Sequence, residues 1–315
     1  LMMRTGVVDE PIVAGEVDHL GINIHSKSLI KFIDRTHTPM TIGIQGEWGS
    51  GKTSLMNEIF YYFETERDEV KQIKVNTWEH SLLASPEEAL IKIVYQIMDD
   101  LITADENIKR KERLRKRAGA LFKSALKVGA AFAGKMGEKV ADEFLPNSDE
   151  SIKDIKNDLN GVVHELETRE TNKFNKVIVY VDDLDRLDPK HAVAILELLK
   201  NIFSIKNCVF VLAIDYQVVV KGLKEKFGKQ TAENEWEFRA FFDKIIQLPF
   251  MMPMGQYKIG NYVNGLLSEV GFIGDDKFSE EKIGDIVTSS IGGNPRSIKR
   301  LINSVSLIQI FTETK

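Results

Sequence analysis

Residues Gly46-Glu47-Trp48-Gly49-Ser50-Gly51-Lys52-Thr53 match the pattern G-x-x-x-x-G-K-[ST], in which x is any residue. The apolar run Thr41–Ile44 precedes the pattern and alternates like a buried strand, whereas the apolar residues of Ser54–Phe60 recur at helical spacing. A strand, a glycine-rich loop and a helix in this order are the context in which the pattern binds phosphate. The sequence therefore predicts a phosphate-binding loop that extends through Ser54.

The chemistry of a triphosphate explains the residue types in this loop. Several backbone N–H groups must point at the phosphates, and so tight a turn requires glycine, which has no Cβ atom. We expect the ammonium group of Lys52 to bind the β and γ phosphates and the hydroxyl of Thr53 to bind Mg²⁺. The helix that begins there adds the positive end of its dipole. A bound nucleoside triphosphate with Mg²⁺ is the prediction.

Composition limits the class of protein. The chain has 315 residues, enough for a nucleotide-binding α/β domain and one smaller domain, with 43% hydrophobic and 28% charged residues. The net charge of −5 argues against a nucleic-acid surface along the whole chain. A single cysteine, Cys208, lies in an apolar run and excludes an intramolecular disulfide framework.

The termini and the hydropathy suggest where the protein resides. No signal-peptide pattern precedes the first domain, and no run reaches about 18 apolar residues, so we predict a cytoplasmic protein. The start at Leu1 suggests a trimmed or unusual N-terminus, and the end straight after a helical pattern suggests that a C-terminal region is missing.

A second motif, Val177–Val181 followed by Asp182 and Asp183, is typical of a Walker B strand. A buried parallel strand brings its last residues to the carboxyl edge of a sheet, where ligands of such folds bind. We predict that Asp182 holds the water shell of Mg²⁺ and that Asp183 polarises the attacking water. A strand that ends in a solvated acidic turn is the alternative.

Two further segments are candidates for nucleotide contacts. Asp215 follows the apolar run Cys208–Ile214 and is placed to sense the γ phosphate, although an acidic helix cap explains it equally well. Leu20, Gly21 and Ile22 precede the first helical pattern and are candidates to cover the adenine base. An ordinary packing segment is the alternative for these three residues.

Residues 103–172 form an insertion between the two motifs. Residues 108–117 hold seven basic side chains against one acidic one, and the stretch 118–133 is mostly apolar. This pattern suits a helix at an anionic membrane surface, a partner-docking helix or a nucleic-acid contact. A helical hairpin that covers the domain is the alternative.

Two arginines, one on each side of a predicted domain boundary, are candidates for contact with the nucleotide. A domain boundary is predicted near 250, with a nucleotide-binding domain over 1–250 and a helical lid domain over 251–315. Arg239 lies shortly before the boundary and is a candidate for an arginine finger that acts in a neighbouring subunit. A solvated helix residue is the alternative. Arg296 lies in the first turn of a predicted helix of the lid and is placed to act in cis.

Taken together, these motifs resemble the KAP family of P-loop ATPases, which is related to the AAA+ and STAND ATPases. The resemblance rests on GEWGSGKTS, VNTWEH, VDDLDRL, FFDKIIQLPF and GGNPRSIKRLIN, and it spans nearly the whole chain. It implies a three-layer αβα fold with a parallel sheet, a strand between the phosphate-loop strand and the Walker B strand, a helical lid and the insertion. It also implies a role in signalling or in bacterial defence against phages and plasmids.

Two rival functions remain at this point. A GTPase would need an N-K-x-D element after a strand, but Asn172-Lys173-Phe174-Asn175 lacks the aspartate and precedes the Walker B strand. ATP and Mg²⁺ are therefore the predicted cofactors. We also predict that the chain forms a homo-oligomer and has a protein partner in a defence or signalling complex. The alternative is a nucleotide-switched scaffold that binds ATP with little turnover and docks a partner or membrane through its insertion.

Overall fold

The computed structural model describes residues 6–11, 16–81, 92–93, 96–97, 99–100, 109, 112, 116, 148–168, 170, 173–202, 204–274 and 277–313. These residues fall into two compact units. The first, here called the loop unit, comprises Leu1–Asp34, Gly46–Tyr62 and Met251–Lys315. The second, the sheet unit, comprises Arg35–Gln45 and Phe63–Phe250.

The sheet has five strands. They are β1 (Met40–Gln45), β2 (Val70–Asn76), β3 (Lys176–Asp182), β4 (Cys208–Ile214) and β5 (Leu248–Met251), in the spatial order β2-β3-β4-β1-β5. The pairs β2–β3, β3–β4 and β1–β4 are parallel. Strand β4 thus separates the strand that enters the phosphate loop from the Walker B strand, which confirms the predicted intervening strand.

The central strands are apolar along their whole length. All seven residues of β4 and five of the seven in β3 are buried. Parallel strands that are covered on both faces read as continuous apolar runs rather than alternating ones. This pattern made β3 and β4 recognisable in the sequence, and the predicted parallel α/β sheet is confirmed.

Helices of the sheet unit pack on these strands. They are α3 (Thr77–Ser81), α4 (Ser148–Thr168), α5 (Pro189–Ile202), α6 (Tyr216–Gly222), α7 (Lys224–Phe227) and α8 (Glu235–Asp243), with a short 3-10 helix at Leu184–Arg186. One apolar core joins side chains of β2, β3 and β4 to those of α4, α5, α6 and α8. Cys208 is buried in this core, and its burial raises the pKa of the thiol.

The loop unit is largely helical. It contains α1 (Asn23–Arg35), most of α2 (Lys52–Glu66), a 3-10 helix at Met254–Gln256, α9 (Ile259–Glu269), α10 (Glu280–Ile291) and α11 (Pro295–Glu313). Helix α11 begins as the sequence suggests, with Pro295 at its first position and Asn294 before it. The Asn294 Oδ1 atom accepts the backbone N–H of Arg296 at 3.0 Å and caps the helix.

Two predicted elements differ in the structure. The run Ile73–Trp78 predicts a strand, but β2 ends at Asn76 and Trp78 lies in α3. The run Ile245–Phe250 predicts a further strand, but β5 begins at Leu248, because the N–H groups of Ile245 and Ile246 both donate to the Phe242 carbonyl and turn the chain after α8.

The basic stretch 108–117 and the apolar stretch 118–133 of the insertion fall almost wholly outside the described residues. Among the helices that the structure does describe, none has the length and apolarity needed to cross a bilayer.

Candidate nucleotide-binding site

The phosphate loop connects β1 to α2, which starts at Lys52. Gly49 and Gly51 have φ angles of 85° and 101°, a region that residues with a Cβ atom rarely adopt. A Cβ atom at Gly49 would also lie 2.7 Å from Cβ of Arg296 and 2.8 Å from Oδ1 of Asn294. Both the backbone conformation and the close approach therefore require glycine at position 49.

Lys52 lies within the loop. Its ammonium group donates to the carbonyl oxygens of Gly46 at 2.8 Å and Glu47 at 3.1 Å, and the residue is 6% exposed. The N–H of Ser50 donates to the Glu47 carbonyl at 3.1 Å. The bonds from Lys52 direct the Gly46 and Glu47 carbonyl groups toward its ammonium group. The same ammonium group is the one predicted to bind the phosphates.

Two side chains from residues 251–315 bind the same loop. The buried Tyr257 hydroxyl donates to the Ser50 carbonyl at 2.7 Å. The Asn294 amide donates to the Trp48 carbonyl and to the Glu47 carboxylate, each at 2.9 Å. Neither contact was predicted from the sequence. The proline at position 295 indicated a helix start, which could have revealed Asn294 as its cap but not as a partner of the loop, and Tyr257 carried no signal.

Arg296 lies beside Trp48 and the N-terminal segment. Its guanidinium carbon is 4.8 Å from the centroid of the Trp48 ring, and its Nε atom is 2.5 Å from Asp9 Oδ2. A cation over an aromatic face and an ion pair both favour the charged side chain in this position. The structure thus brings Arg296 to the phosphate loop, while contact with nucleotide stays a prediction.

Ile22, the last residue of the segment Leu20-Gly21-Ile22, lies beside the phosphate loop. Asp18 holds the turn, because its carboxylate accepts the N–H groups of Gly21 at 2.9 Å and Asn23 at 2.8 Å. Leu20 and Ile22 are buried, and the Ile22 Cδ1 atom lies 3.4 Å from the position that a Cβ atom at Gly51 would take. Packing is therefore one role of these residues, and their contact with adenine stays a prediction.

The Walker B carboxylates lie in the sheet unit. Asp182 ends β3, and its Oδ1 atom accepts the N–H of Asp183 at 2.7 Å. Asp183 adopts a left-handed conformation with φ 61°, and its carboxylate is 2.6 Å from Nε of Arg186. Burial raises the pKa of the Asp183 carboxyl, while Arg186 opposes this shift.

The residues predicted to hold the metal suit Mg²⁺. Thr53 is the second residue of α2 and supplies a hydroxyl, and Asp182 supplies a carboxylate. Hard oxygen donors of this kind are the ligands that Mg²⁺ prefers, with the remaining positions taken by phosphates and water. In the part of the chain that the structure describes, no group of three or more His, Cys, Asp or Glu side chains is arranged to hold a metal by itself.

Asp215 and Arg239 have local partners on their own helices. Asp215 caps α6 by accepting the N–H of Gln217 at 2.9 Å, which is the alternative that the sequence left open. Arg239 donates to Glu235 Oε1 from Nε at 3.1 Å and from Nη2 at 2.6 Å, and its side chain is 69% exposed. The predicted roles of both residues toward the γ phosphate stay predictions.

The parallel sheet and the glycine-rich loop together define a P-loop domain of the NTPase class. A sequence profile described as the KAP family P-loop domain matches residues 23–311, so the chain belongs to the KAP family. This confirms the family indicated by the sequence motifs.

One curated relative is the "Phage T7 exclusion protein" of Escherichia coli (strain K12). It is 24% identical over 235 residues, which are 67% of this chain and 30% of that protein. The chain therefore matches less than a third of the length of this relative.

Proposed function

We propose that this chain binds ATP with Mg²⁺ and hydrolyses it. The observation that carries the proposal is the phosphate loop itself, in which Gly49 and Gly51 take positive φ angles and Lys52 opens a helix. Successive backbone N–H groups and a helix N-terminus form an anion-binding site. Membership of the KAP family, whose matched domain is described as a P-loop domain, supports a phosphate ligand.

The residues divide the work as follows. The loop N–H groups and Lys52 bind the phosphates, and Thr53 and Asp182 would hold Mg²⁺, which supplies positive charge against the charge that develops on the transferred phosphoryl group. Asp183 orients and polarises the attacking water. Its raised pKa agrees with a carboxylate suited to accept a proton.

Steady-state release of phosphate from ATP tests the proposal. We expect sustained release by the wild type and its loss in Lys52→Ala, because that variant lacks the charge on the β and γ phosphates. Titration with a fluorescent ATP analogue in the presence of Mg²⁺ measures binding separately. Failure of the wild type to bind ATP at millimolar concentration would refute the proposal.

A scaffold that binds ATP with little turnover is a second candidate. It is favoured by the ion pair between Asp183 and Arg186, because a carboxylate engaged by arginine is a weaker base. ATP binding without release of phosphate beyond one turnover would identify the scaffold. Arg186→Gln should then increase hydrolysis, since it frees the Asp183 carboxylate.

For the biological role we propose a homo-oligomeric component of a defence complex. The name of the matched Escherichia coli protein, phage T7 exclusion protein, supports defence against phages. Infection of cells that express the wild type or Lys52→Ala tests this role, with plaque counts as the measurement. Equal plaque counts across a panel of phages with both proteins would contradict it.

A further inference from the structure

We infer that Tyr257 and Asn294 are positioning residues that set the direction of two peptide groups in the phosphate loop. The inference deepens the proposed function and rests on it for its consequence in ATP binding. Both side chains come from residues 251–315 and both bind carbonyl oxygens of the loop, within the same compact unit.

The two contacts are specific in geometry. The Tyr257 hydroxyl lies 2.7 Å from the Ser50 carbonyl oxygen, and the bond is buried. The Asn294 amide nitrogen lies 2.9 Å from the Trp48 carbonyl oxygen. Burial strengthens the Tyr257 bond and makes an unpaired Ser50 carbonyl costly, so this carbonyl is held toward Tyr257. The Asn294 bond is exposed, and its short length directs the Trp48 carbonyl toward Asn294.

Peptide planarity carries this constraint to the N–H groups. In a trans peptide the C=O of one residue and the N–H of the next point in opposite directions. Holding the Trp48 carbonyl therefore directs the N–H of Gly49 away from Asn294. Holding the Ser50 carbonyl directs the N–H of Gly51 away from Tyr257.

These N–H groups are the ones that a phosphate ligand needs. A glycine-rich loop binds phosphate through N–H groups that converge on one side while the carbonyls face the other. Lys52 and the Ser50 N–H bind carbonyls from within the loop, at Gly46 and Glu47. From outside the loop, Asn294 binds the carbonyl of residue 48 and Tyr257 binds the carbonyl of residue 50.

Asn294 also links the loop to α11. Its Oδ1 atom caps that helix at the N–H of Arg296, while its amide group binds Trp48. One side chain therefore fixes both a loop peptide and the start of the helix that carries Arg296. A displacement of this helix start would release the Trp48 carbonyl and weaken phosphate binding.

The first experiment needs no nucleotide. Trp48–Gly49 and Ser50–Gly51 are the one Trp–Gly pair and the one Ser–Gly pair in the sequence. Protein labelled with ¹³C at the carbonyl of tryptophan or serine and with ¹⁵N in glycine thus gives one selected amide signal in each case. We expect Tyr257→Phe to move the Gly51 signal and not the Gly49 signal.

The second variant, Asn294→Ser, should show the reverse pattern. Serine is as good a helix cap as asparagine but is too short to reach the Trp48 carbonyl. We expect the Gly49 signal to move while the Gly51 signal stays in place. Should Tyr257→Phe fail to fold, this variant alone decides, because a Gly49 signal that does not move overturns the inference.

Affinity measurements complete the test. Loss of one orienting hydrogen bond should raise the Kd for Mg-ATP and for inorganic tripolyphosphate about fivefold in each variant. The control is Tyr180→Phe, which removes a bond of the same length, 2.7 Å, between a buried tyrosine and Gln72 in the sheet unit. It should lose stability while keeping the wild-type Kd for both ligands.

The outcomes separate the two proposals. If the glycine signals move and the Kd values rise in the loop variants alone, the positioning role is supported. Signals that stay in place, or wild-type affinities despite moved signals, overturn it. If the wild type binds neither ligand, the proposed function fails, and the glycine signals still decide whether Tyr257 and Asn294 orient the loop.

Discussion

Replacing Asp183 by asparagine should separate hydrolysis from stability and from binding. The change keeps the size of the side chain and removes its charge. Asp183 has φ 61°, and asparagine is among the residues that tolerate the left-handed conformation. We therefore expect Asp183→Asn to keep the fold and to bind ATP as the wild type does.

Two opposing effects keep the change in stability small. The ion pair with Arg186 is lost, but the Arg186 side chain is 37% exposed, and exposed pairs contribute about 0–1 kcal/mol. The unfavourable burial of a carboxylate, which raises the pKa of Asp183, is removed at the same time. The free energy of unfolding should change by less than about 1 kcal/mol, or a few degrees in Tm.

Hydrolysis should fall far more than this. A positioned general base is typically worth roughly 10²–10⁴ in rate. Single-turnover hydrolysis and ATP titration, both on purified Asp183→Asn, measure the two quantities. Asp188→Asn is the matched control, because its carboxylate caps Lys190 N–H at 3.0 Å in the same loop and asparagine can keep that bond. Near wild-type hydrolysis in folded Asp183→Asn would refute the assignment.

The pH dependence gives an independent check. Because burial raises the folded-state pKa of Asp183, the folded wild type keeps this proton at pH values where the unfolded chain has lost it. The stability that the protonated Asp183 carboxyl contributes to the folded wild type is therefore lost as the pH rises from about 4 through the raised pKa. Asp183→Asn lacks this titration, so its stability relative to the wild type should rise across that interval and then stay constant. Urea unfolding from pH 4 to pH 8 that shows a constant difference would contradict the raised pKa.

Three further predictions concern other parts of the chain. Gly49→Ala should lower the free energy of unfolding by more than the about 1–2 kcal/mol expected from positive φ alone, because a Cβ atom there would also meet Arg296 and Asn294; a loss of no more than about 1–2 kcal/mol in urea unfolding would contradict the close approach at Gly49. Arg239→Ala should lose roughly 10³–10⁵ in turnover and regain activity when mixed with Asp183→Asn, and full activity of Arg239→Ala by itself would refute a role in trans. Deletion of residues 105–145 should abolish flotation with anionic vesicles at low salt. If the intact protein neither floats with the vesicles nor binds DNA, the insertion is a cover or a protein-docking element.

Much of the fold could be predicted because its signals are local. The apolar runs of β3 and β4 and the glycines of the phosphate loop are contiguous in sequence, and each has a direct physical reading. The strand order followed from the family resemblance rather than from periodicity. It places β4 between β1 and β3, as expected.

The contacts that complete the phosphate loop could not be predicted in this way. Tyr257 and Ser50 are 207 positions apart in the sequence, and Asn294 and Trp48 are 246 apart. Neither pair has a spacing or periodicity that links its members. The left-handed conformation of Asp183 was also missed, because aspartate in a strand–turn junction gives no distinctive signal.

The two candidate arginines differ in what their surroundings permit. Arg296 is built into the loop unit, where Asp9 already supplies an anionic oxygen to its guanidinium and Trp48 covers one face. Contact with a phosphate in the same subunit requires exchange of one anionic partner for another. Arg239 is exposed and its ion pair with Glu235 lies within one helix, so its guanidinium group is accessible to a phosphate of a second copy, as the proposed role in trans requires. A role for Arg239 therefore predicts that activity per subunit rises with protein concentration, whereas a role for Arg296 predicts no such dependence.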